Sequence, residues 1–474
     1  MAVLAPGTSF TFGPLMSDFP RSYRIIAVVV AFALFMQQLD ATVLSIALPA
    51  MSRDFGIPAS SLSLALTSYL VALAVFIPAS GSLSDRFGSR TIFGAAITVF
   101  MAGSVACAQS SSLSALVAAR FLQGIGGAMM VPVGRLVLLR SVDKDDLVAA
   151  LSWLVMPALV GPIVGPPIGG FIVTYLDWRW VFYINIPIGL VGLVLAILLI
   201  PQIKTKVAAQ FDLPGFLLSG VALGCAVFGL ELASHPVPTT LIFGLLGCGL
   251  LFGAAYVRRA RRIANPILNL GLLRIPTFGL SVAGGTLVRI AQGGQPFLLP
   301  LLFQLGFGLS AATAGMIMMA NALGALAMKP LAPAIIRRFG YSLSLTAASI
   351  GTAIAIGSCA LFRPDWPHLA MATILFASGF FTSLLFTGYN ALAFVDVDEM
   401  KMSAATGLYA TFQQLSLSLG ICFAATLLEL GGGVSTDTVA AVFIVIGITA
   451  FCAALPNRLL KPDAGSLAVK LDAH

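Results

Sequence analysis

A carboxylate in the middle of a long apolar run is the first feature of this 474-residue chain whose position calls for chemistry. Asp40 lies deep in the apolar stretch near residues 24 to 50, and it is the only acidic residue so placed in the first six such stretches. Holding an ionised group at that depth costs about 2.5–3.5 kcal/mol on insertion scales, so a residue that stays there has a function. Burial favours a protonated acid, and a nearby cation favours the carboxylate; a reversible proton carrier uses both tendencies. The competing reading is a structural Asp40 bonded to Thr42 or to a freed backbone amide. Two arginines, Arg120 and Arg289, are also enclosed in apolar stretches. Arg289, Gln292 and Gln295, at spacings of three and six, share one helix face. With Gln123 and Gln413 they are the candidate lining of a substrate cavity. Glu231 falls near the outer end of its stretch and reads as snorkelling to the interface, with no coupling role.

A second chemical feature is the charged, glycine-punctuated turn Gly81-Ser-Leu-Ser-Asp-Arg-Phe-Gly-Ser-Arg90, wedged between two apolar runs. Gly81 and Gly88 would allow close helix approach and a tight turn. Asp85 could face a helix N-terminus or an arginine, and Arg86 and Arg90 could pair with Asp143, Asp145 or Asp146, so the segment reads as a latch. Arginines serving only as topology anchors are the alternative.

Other chemistries are poorly served. A phosphate-binding Walker A sequence is missing, so ATP does not energise this chain, and no nucleophile, base and orienting group are set together in a polar domain. The six cysteines (107, 225, 248, 359, 422, 452) fall in or at the ends of apolar runs without C-x-x-C spacing and read as packing residues; the three histidines are scattered. No metal site or organic cofactor is expected. The net charge of +8 is dispersed over short loops rather than gathered on a face, which argues against nucleic acid.

The elements that must position these residues are membrane helices. Hydrophobic residues make up 59% of the chain, charged residues 9%, and the mean hydropathy is +1.01, which describes an all-α polytopic membrane protein. Apolar stretches of spanning length occur near 24 to 50, 60 to 80, 91 to 109, 113 to 134, 148 to 175, 179 to 201, 213 to 233, 238 to 257, 277 to 303, 309 to 330, 342 to 362, 367 to 391, 404 to 429 and 437 to 456, fourteen in all. With both termini cytoplasmic, nearly all the loop Lys and Arg collect on one side, and only Arg53, Arg179 and Arg363 fall opposite. Arg337-Arg-Phe-Gly-Tyr341 is a faint copy of the turn, and Arg86 and Arg338 stand 252 residues apart (338 − 86). That offset predicts a duplicated 6 + 2 + 6 arrangement. Its parts are a cytoplasmic segment 1–23, a six-helix bundle 24–201, a linker with an inserted hairpin 202–262, a second bundle 263–456 and a cytoplasmic tail 457–474.

The decapeptide from Gly81 to Arg90 resembles the signature loop of the major facilitator superfamily, and further segments narrow the match. Arg120-Phe-Leu-Gln-Gly-Ile-Gly-Gly-Ala128 resembles that family's span-4 arginine motif. Gly161-Pro-Ile-Val-Gly-Pro-Pro-Ile-Gly-Gly170 resembles its span-5 antiporter motif. Leu39 to Pro49 and Trp178 to Gly189 are similar to segments of the fourteen-span drug:proton antiporters. The resemblance implies the major facilitator fold, with pseudo-two-fold related bundles. It further implies that Arg120 faces the central cavity and tunes proton binding at Asp40. Gly161, Pro162, Gly165, Pro166, Gly169 and Gly170 would seal the halves against leak, and Gly81, Asp85, Arg86, Gly88 and Arg90 would form a cytoplasmic gate. Ser45 departs from the family, which often has asparagine there. The implied function is export of amphipathic small molecules in exchange for protons, by a monomer among the lipids of a bacterial-type inner membrane. A proton-coupled uptake carrier and a non-transporting sensor share the same fold and remain alternatives.

Overall fold

The computed structural model describes residues 23–141, 147–204, 211–233, 235 and 237–460. Helices dominate and no strand occurs among the described residues. In chain order they are α1 (Tyr23–Phe55), α2 (Ser63–Phe87), α3 (Ser89–Ala108), α4 (Leu113–Ser141), α5 (Leu147–Tyr175), α6 (Trp180–Tyr183), α7 (Asn185–Leu199), α8 (Leu213–Leu232), α9 (Thr239–Ala260), α10 (Pro276–Leu301), α11 (Ala311–Met328), α12 (Ala332–Ser358), α13 (His368–Leu392), α14 (Met402–Leu430), α15 (Thr436–Cys452) and α16 (Ala454–Arg458). Twelve helices among the described residues are long and apolar enough to cross a membrane. The expected stretches 148 to 175 and 277 to 303 form α5, of 29 residues, and α10, of 26.

Helix ends follow local chemistry. Gly56, at φ +65°, and Pro58 stop α1. Asp212 caps α8 by accepting from the Gly215 N–H at 3.0 Å, with proline in the first turn. Prolines inside α1, α2, α4 and α10 remove amide donors, which membrane helices tolerate when neighbours re-satisfy the backbone. After Pro296 and Pro300 the chain widens into a π-helical turn, Leu302–Gly306. The signature segment is less of a turn than its composition suggests. Residues 81–87 continue α2, and only Gly88 breaks the helix, at φ +95°.

The repeat is visible atom by atom. A shift of 252 residues carries Gly88 to Gly340, and both have left-handed backbone, at φ +95° and +75°. The same shift carries Arg90 to Ser342, and each ties its half's third long helix back to the end of its last. Arg90 Nε donates to the Ile200 carbonyl at 2.5 Å, and Ser342 Oγ donates to the Asn457 carbonyl at 2.8 Å. Packing obeys the same correspondence: α1 packs on α5 as α10 packs on α14, α3 on α4 as α12 on α13, and α3 on α7 as α12 on α15. Between the halves, α5 meets α11 and α14 meets α2, again a symmetric pair. The hairpin α8–α9 packs beside α2 and α14, its two ends clasped by Arg259 and Asp212 at 2.8 Å.

Among the described residues the halves share their main apolar core at one end. Away from Gly88 and Gly340, a single apolar core runs through both halves, uniting Leu44, Leu62 and Phe182 with Phe297, Phe303 and Phe443. At the Gly88 end the cores are separate, one around Val30, Phe93 and Phe100 and another around Leu345, Leu385 and Tyr389. Among the described residues the shared core therefore lies away from the two left-handed glycines, while α2 and α14 stay in contact as far as Thr411, whose hydroxyl donates to the Ala74 carbonyl at 3.2 Å.

Those two glycines yield a paired prediction. Any L-residue in the left-handed region is strained, by roughly 1–2 kcal/mol. A Cβ on Gly88 would also strike the Gln202 amide, whereas one on Gly340 meets nothing within 4 Å. Gly88→Ala is expected to lower the thermal unfolding midpoint in detergent more than Gly340→Ala does. Equal shifts would show that the Gln202 contact is slack.

Candidate functional site

Asp40 sits on α1, 2% exposed, where α1 faces α4 and α7. Its Oδ2 receives Arg120 Nη1 at 2.6 Å. Its Oδ1 receives Gln123 Nε2 and Asn185 Nδ2, each at 2.8 Å. All three partners are N–H donors, so the geometry complements a carboxylate. Gln123 also accepts from Arg120 at 2.5 Å and donates to Ser104 Oγ at 2.8 Å, so both side chains of the i, i+3 pair on α4 converge on one acid. Tyr69 of α2 completes the enclosure, with the Arg120 guanidinium 4.3 Å from its ring centroid. Arg120, Gln123, Ser104, Asn185 and Tyr69 are all buried.

The sequence pairing of Asp40 with Arg120 is thus reproduced in space, with two corrections. Arg120 does not face an open cavity: it is 1% exposed and enclosed within the first half. Gln123, expected to line the substrate cavity, is wholly buried in the Asp40 cluster. Asn185 and Ser104 carried no assigned role in the sequence. Asn185 was legible as an amide stranded in the apolar segment from Trp178 to Gly189, whereas Ser104 had no local signal. The rest of that segment is a staple at the joined end: Trp178 Nε1 donates to Asp54 at 3.2 Å, and Arg179 pairs with the same carboxylate at 2.9 Å.

The glycine-proline run of α5 packs on two sides. Gly161, Gly165 and Gly169, four apart, lie against Gln38, Thr42 and Val43 of α1, the turns that flank Asp40. A Cβ on Gly161 would come within 2.9 Å of Gln38 and one on Gly169 within 2.9 Å of Val43. On the other side, Gly170 abuts the Ala311 carbonyl, and Gly315 of α11 abuts the Pro166 carbonyl. One helix therefore touches both the acid-bearing helix and the opposite half.

In the second half, Arg289 lies between aromatic rings, 5.0 Å from Phe386 and 5.3 Å from Tyr409, and donates to Tyr409 Oη at 3.4 Å. Gln292 occupies the place in α10 that the 252-residue shift assigns to Asp40 and is half-buried. Gln295 is held by Ser378 at 3.1 Å, and Gln413 by Asn390 at 2.9 Å. The four are not brought into one hydrogen-bonded cluster.

At the Gly88 end, Asp85 pairs with Arg140 of α4 at 2.7 Å. The carboxylates expected for Arg86 and Arg90, at 143, 145 and 146, lie outside the described residues. Among the described residues, Arg90 Nε donates to the Ile200 carbonyl and its backbone N–H to Gln202 at 3.0 Å. Gly81 does not make the close approach expected of it, since a Cβ there meets nothing within 4 Å. A turn earlier, a Cβ on Gly407 of α14 would come within 3.9 Å of Pro78. Glu231 is a further correction: it is fully buried, not snorkelling, and its carboxylate accepts from Ser63 and Thr67 of α2.

Two repeated helical halves that share an apolar core at one end, with a buried acid in the first of them, are the architecture of a secondary transporter. The chain belongs to the Major Facilitator Superfamily, whose profile matches residues 30–420 and 281–470. Among curated proteins it is 40% identical over 422 residues to "Putative multidrug resistance protein MdtD" of Klebsiella pneumoniae (strain 342), covering 88% of each chain. It is 37% identical over 453 residues to the protein of the same name from Escherichia coli O157:H7, covering 93% and 95%. Among solved structures it resembles the peptide transporter POT in complex with sulfate, at TM-score 0.70 and 15% identity over 93% of this chain and 95% of that one. It also resembles the xylose transporter XylE from E. coli, at TM-score 0.60 and 15% identity over 92% and 97%. At such identities the structural likeness speaks for the fold alone.

Proposed function

We propose that this chain exports amphipathic compounds in exchange for protons across a bacterial-type inner membrane, with Asp40 as the proton carrier. The observation that carries the reading is the buried Asp40–Arg120 pair beside the α5 run that reaches the other half. The ion pair and its two amides hold the deprotonated acid; protonation would weaken the hold of Arg120 and shift the packing of α1 on α5. The names of the curated relatives support multidrug export as the cargo class.

Fourteen crossings follow if α5 and α10 join the twelve apolar helices, in bundles 24–201 and 263–456 with the hairpin of 202–262 between them. The excess of Lys and Arg on one side then argues for both termini, Gly88 and Gly340 being cytoplasmic. On that assignment the end with separate cores faces the cytoplasm, and a deprotonated Asp40 suits a state that has released its proton there. Arg289, Gln292, Gln295 and Gln413 are proposed to line the path of the substrate in the second half. The chain works as a monomer, without a cofactor. In vesicles with an imposed pH gradient, substrate addition should drive protons in the direction opposite to the substrate. Movement of both in the same direction would instead identify an uptake carrier, and no movement a sensor.

The gate gives a smaller prediction. Asp85 and Arg140 are about one-third exposed or less, and partly solvated pairs contribute about 0.2–1 kcal/mol. Asp85→Asn should therefore lower transport a few-fold at most and leave substrate binding in place, measured as initial export rate and equilibrium binding. Unchanged transport would remove the gate from this account.

A further inference from the structure

The inserted hairpin carries a carboxylate that the mechanism above does not use. Glu231, in the last turn of α8, is 0% exposed, where α8 meets α2 and α14. Ser63 donates to its Oε1, Thr67 donates to its Oε2 at 3.1 Å, and Thr67 also lies 3.9 Å from the Cys422 thiol of α14. One turn earlier, Ser60 donates to Glu429 of α14. Ser60, Ser63 and Thr67, spaced three and four apart, thus form a hydroxyl row that meets carboxylates from the hairpin and from the opposite half. Because α2 and α14 belong to different halves, this row lies along the seam that must part when the joined end opens.

The groups around the acid come from every neighbouring element. From α14 they are the Cys422 thiol and, through Ser60, Glu429. After α8 comes His235, whose ring Nδ1 lies 3.0 Å from the Glu231 carbonyl. From α2 they are hydroxyls, and α9 sets apolar Leu245 and Leu246 against Gly229. Hydroxyls donate and accept. Ser63 and Thr67 can therefore donate to Glu231 as a carboxylate, and the Thr67 hydroxyl oxygen can accept a hydrogen bond from its O–H when it is an acid. The Asp40 site differs, because its amides and guanidinium present only donors to the carboxylate. When α2 leaves α14, Glu231 changes its surroundings, and a group whose surroundings differ between two states binds protons differently in them.

We propose that Glu231 is a second proton-binding carboxylate, through which the hairpin α8–α9 links proton occupancy to closure of the α2–α14 seam. Its part in coupling rests on the proton-exchange reading above; the proton site itself does not. The test uses the full chain in liposomes, as wild type, Asp40→Asn, Glu231→Gln and Ser63→Ala/Thr67→Ala. In pH-difference infrared spectra, Asp40→Asn and Glu231→Gln should each delete a different protonated-carboxyl band, and the hydroxyl double variant should displace the Glu231 band. Glutamine keeps the hydrogen-bonding reach, so a merely structural Glu231 would leave the pH profile of transport unchanged. The proposal instead requires Glu231→Gln to lose one step of that profile. If wild-type vesicles move no protons with substrate but Glu231→Gln still deletes its own band, the exchange reading falls and the proton site stands. Glu231→Gln with wild-type spectrum and wild-type pH profile overturns the proposal.

Discussion

Replacing Asp40 with asparagine is expected to abolish gradient-driven export, by more than about a hundredfold, while a folded protein still inserts in the membrane. Asparagine fills the same space but cannot ionise, and it leaves the Arg120 guanidinium, 1% exposed, without a countercharge. Breaking a buried ion pair by removing one partner costs about 3–5 kcal/mol, and each 1.4 kcal/mol is tenfold in an equilibrium. The variant should also unfold at a lower temperature. Asp40→Glu separates the two losses, because it restores the countercharge and the ionisable proton. Partial recovery of export in Asp40→Glu, with Asp40→Asn inactive, is the expected pattern. Full proton-coupled export by Asp40→Asn would show that the carrier lies elsewhere.

Gly315→Val should have the next largest effect, because it acts on the joint between the halves. Its Cβ would run into the Pro166 carbonyl of α5, a backbone atom that cannot swing aside. Overpacking of this kind costs about 1–3 kcal/mol, which shifts a two-state equilibrium by roughly five- to 150-fold. The cost falls on the state in which α5 and α11 are in contact, so the variant should favour the opposite state. Spin labels at the exposed Tyr175 and Leu305, one in each half at the joined end, should report a longer distance in Gly315→Val than in the parent. An unaltered distance with unaltered export would mean that α11 slides to accommodate the side chain.

Much of the architecture was legible because it is written in regular spacing. The 252-residue offset rested on three residues of sequence, yet it maps one left-handed glycine onto the other and one end-tie onto the other. Asp40 and Arg120 were legible because charge in an apolar run is costly wherever the run folds. What escaped was set by helix phase and by neighbours far along the chain. Glu231 lies near the end of its stretch, which suggested the interface; only the packing of α8 on α2, 164 residues distant, turns it inward. Arg140 was expected in a loop, but α4 continues to Ser141 and delivers it to Asp85. Ser104 has no sequence signal, since serine in a membrane helix usually satisfies itself on the preceding turn, as this one also does with the Phe100 carbonyl at 3.0 Å.

The partners of Asp40 also bear on how the protein is made. The carboxylate lies in the first helix, but Arg120 follows 80 residues later and Asn185 follows 145 residues later. During synthesis α1 is complete well before α4 and α7 exist, so its acid has no countercharge at the moment the helix leaves the ribosome. A helix with a bare carboxylate at its centre partitions poorly into lipid. Release of α1 from the insertion machinery should therefore wait on α4, and a nascent chain truncated before Arg120 should stay associated with that machinery longer when residue 40 is aspartate than when it is leucine.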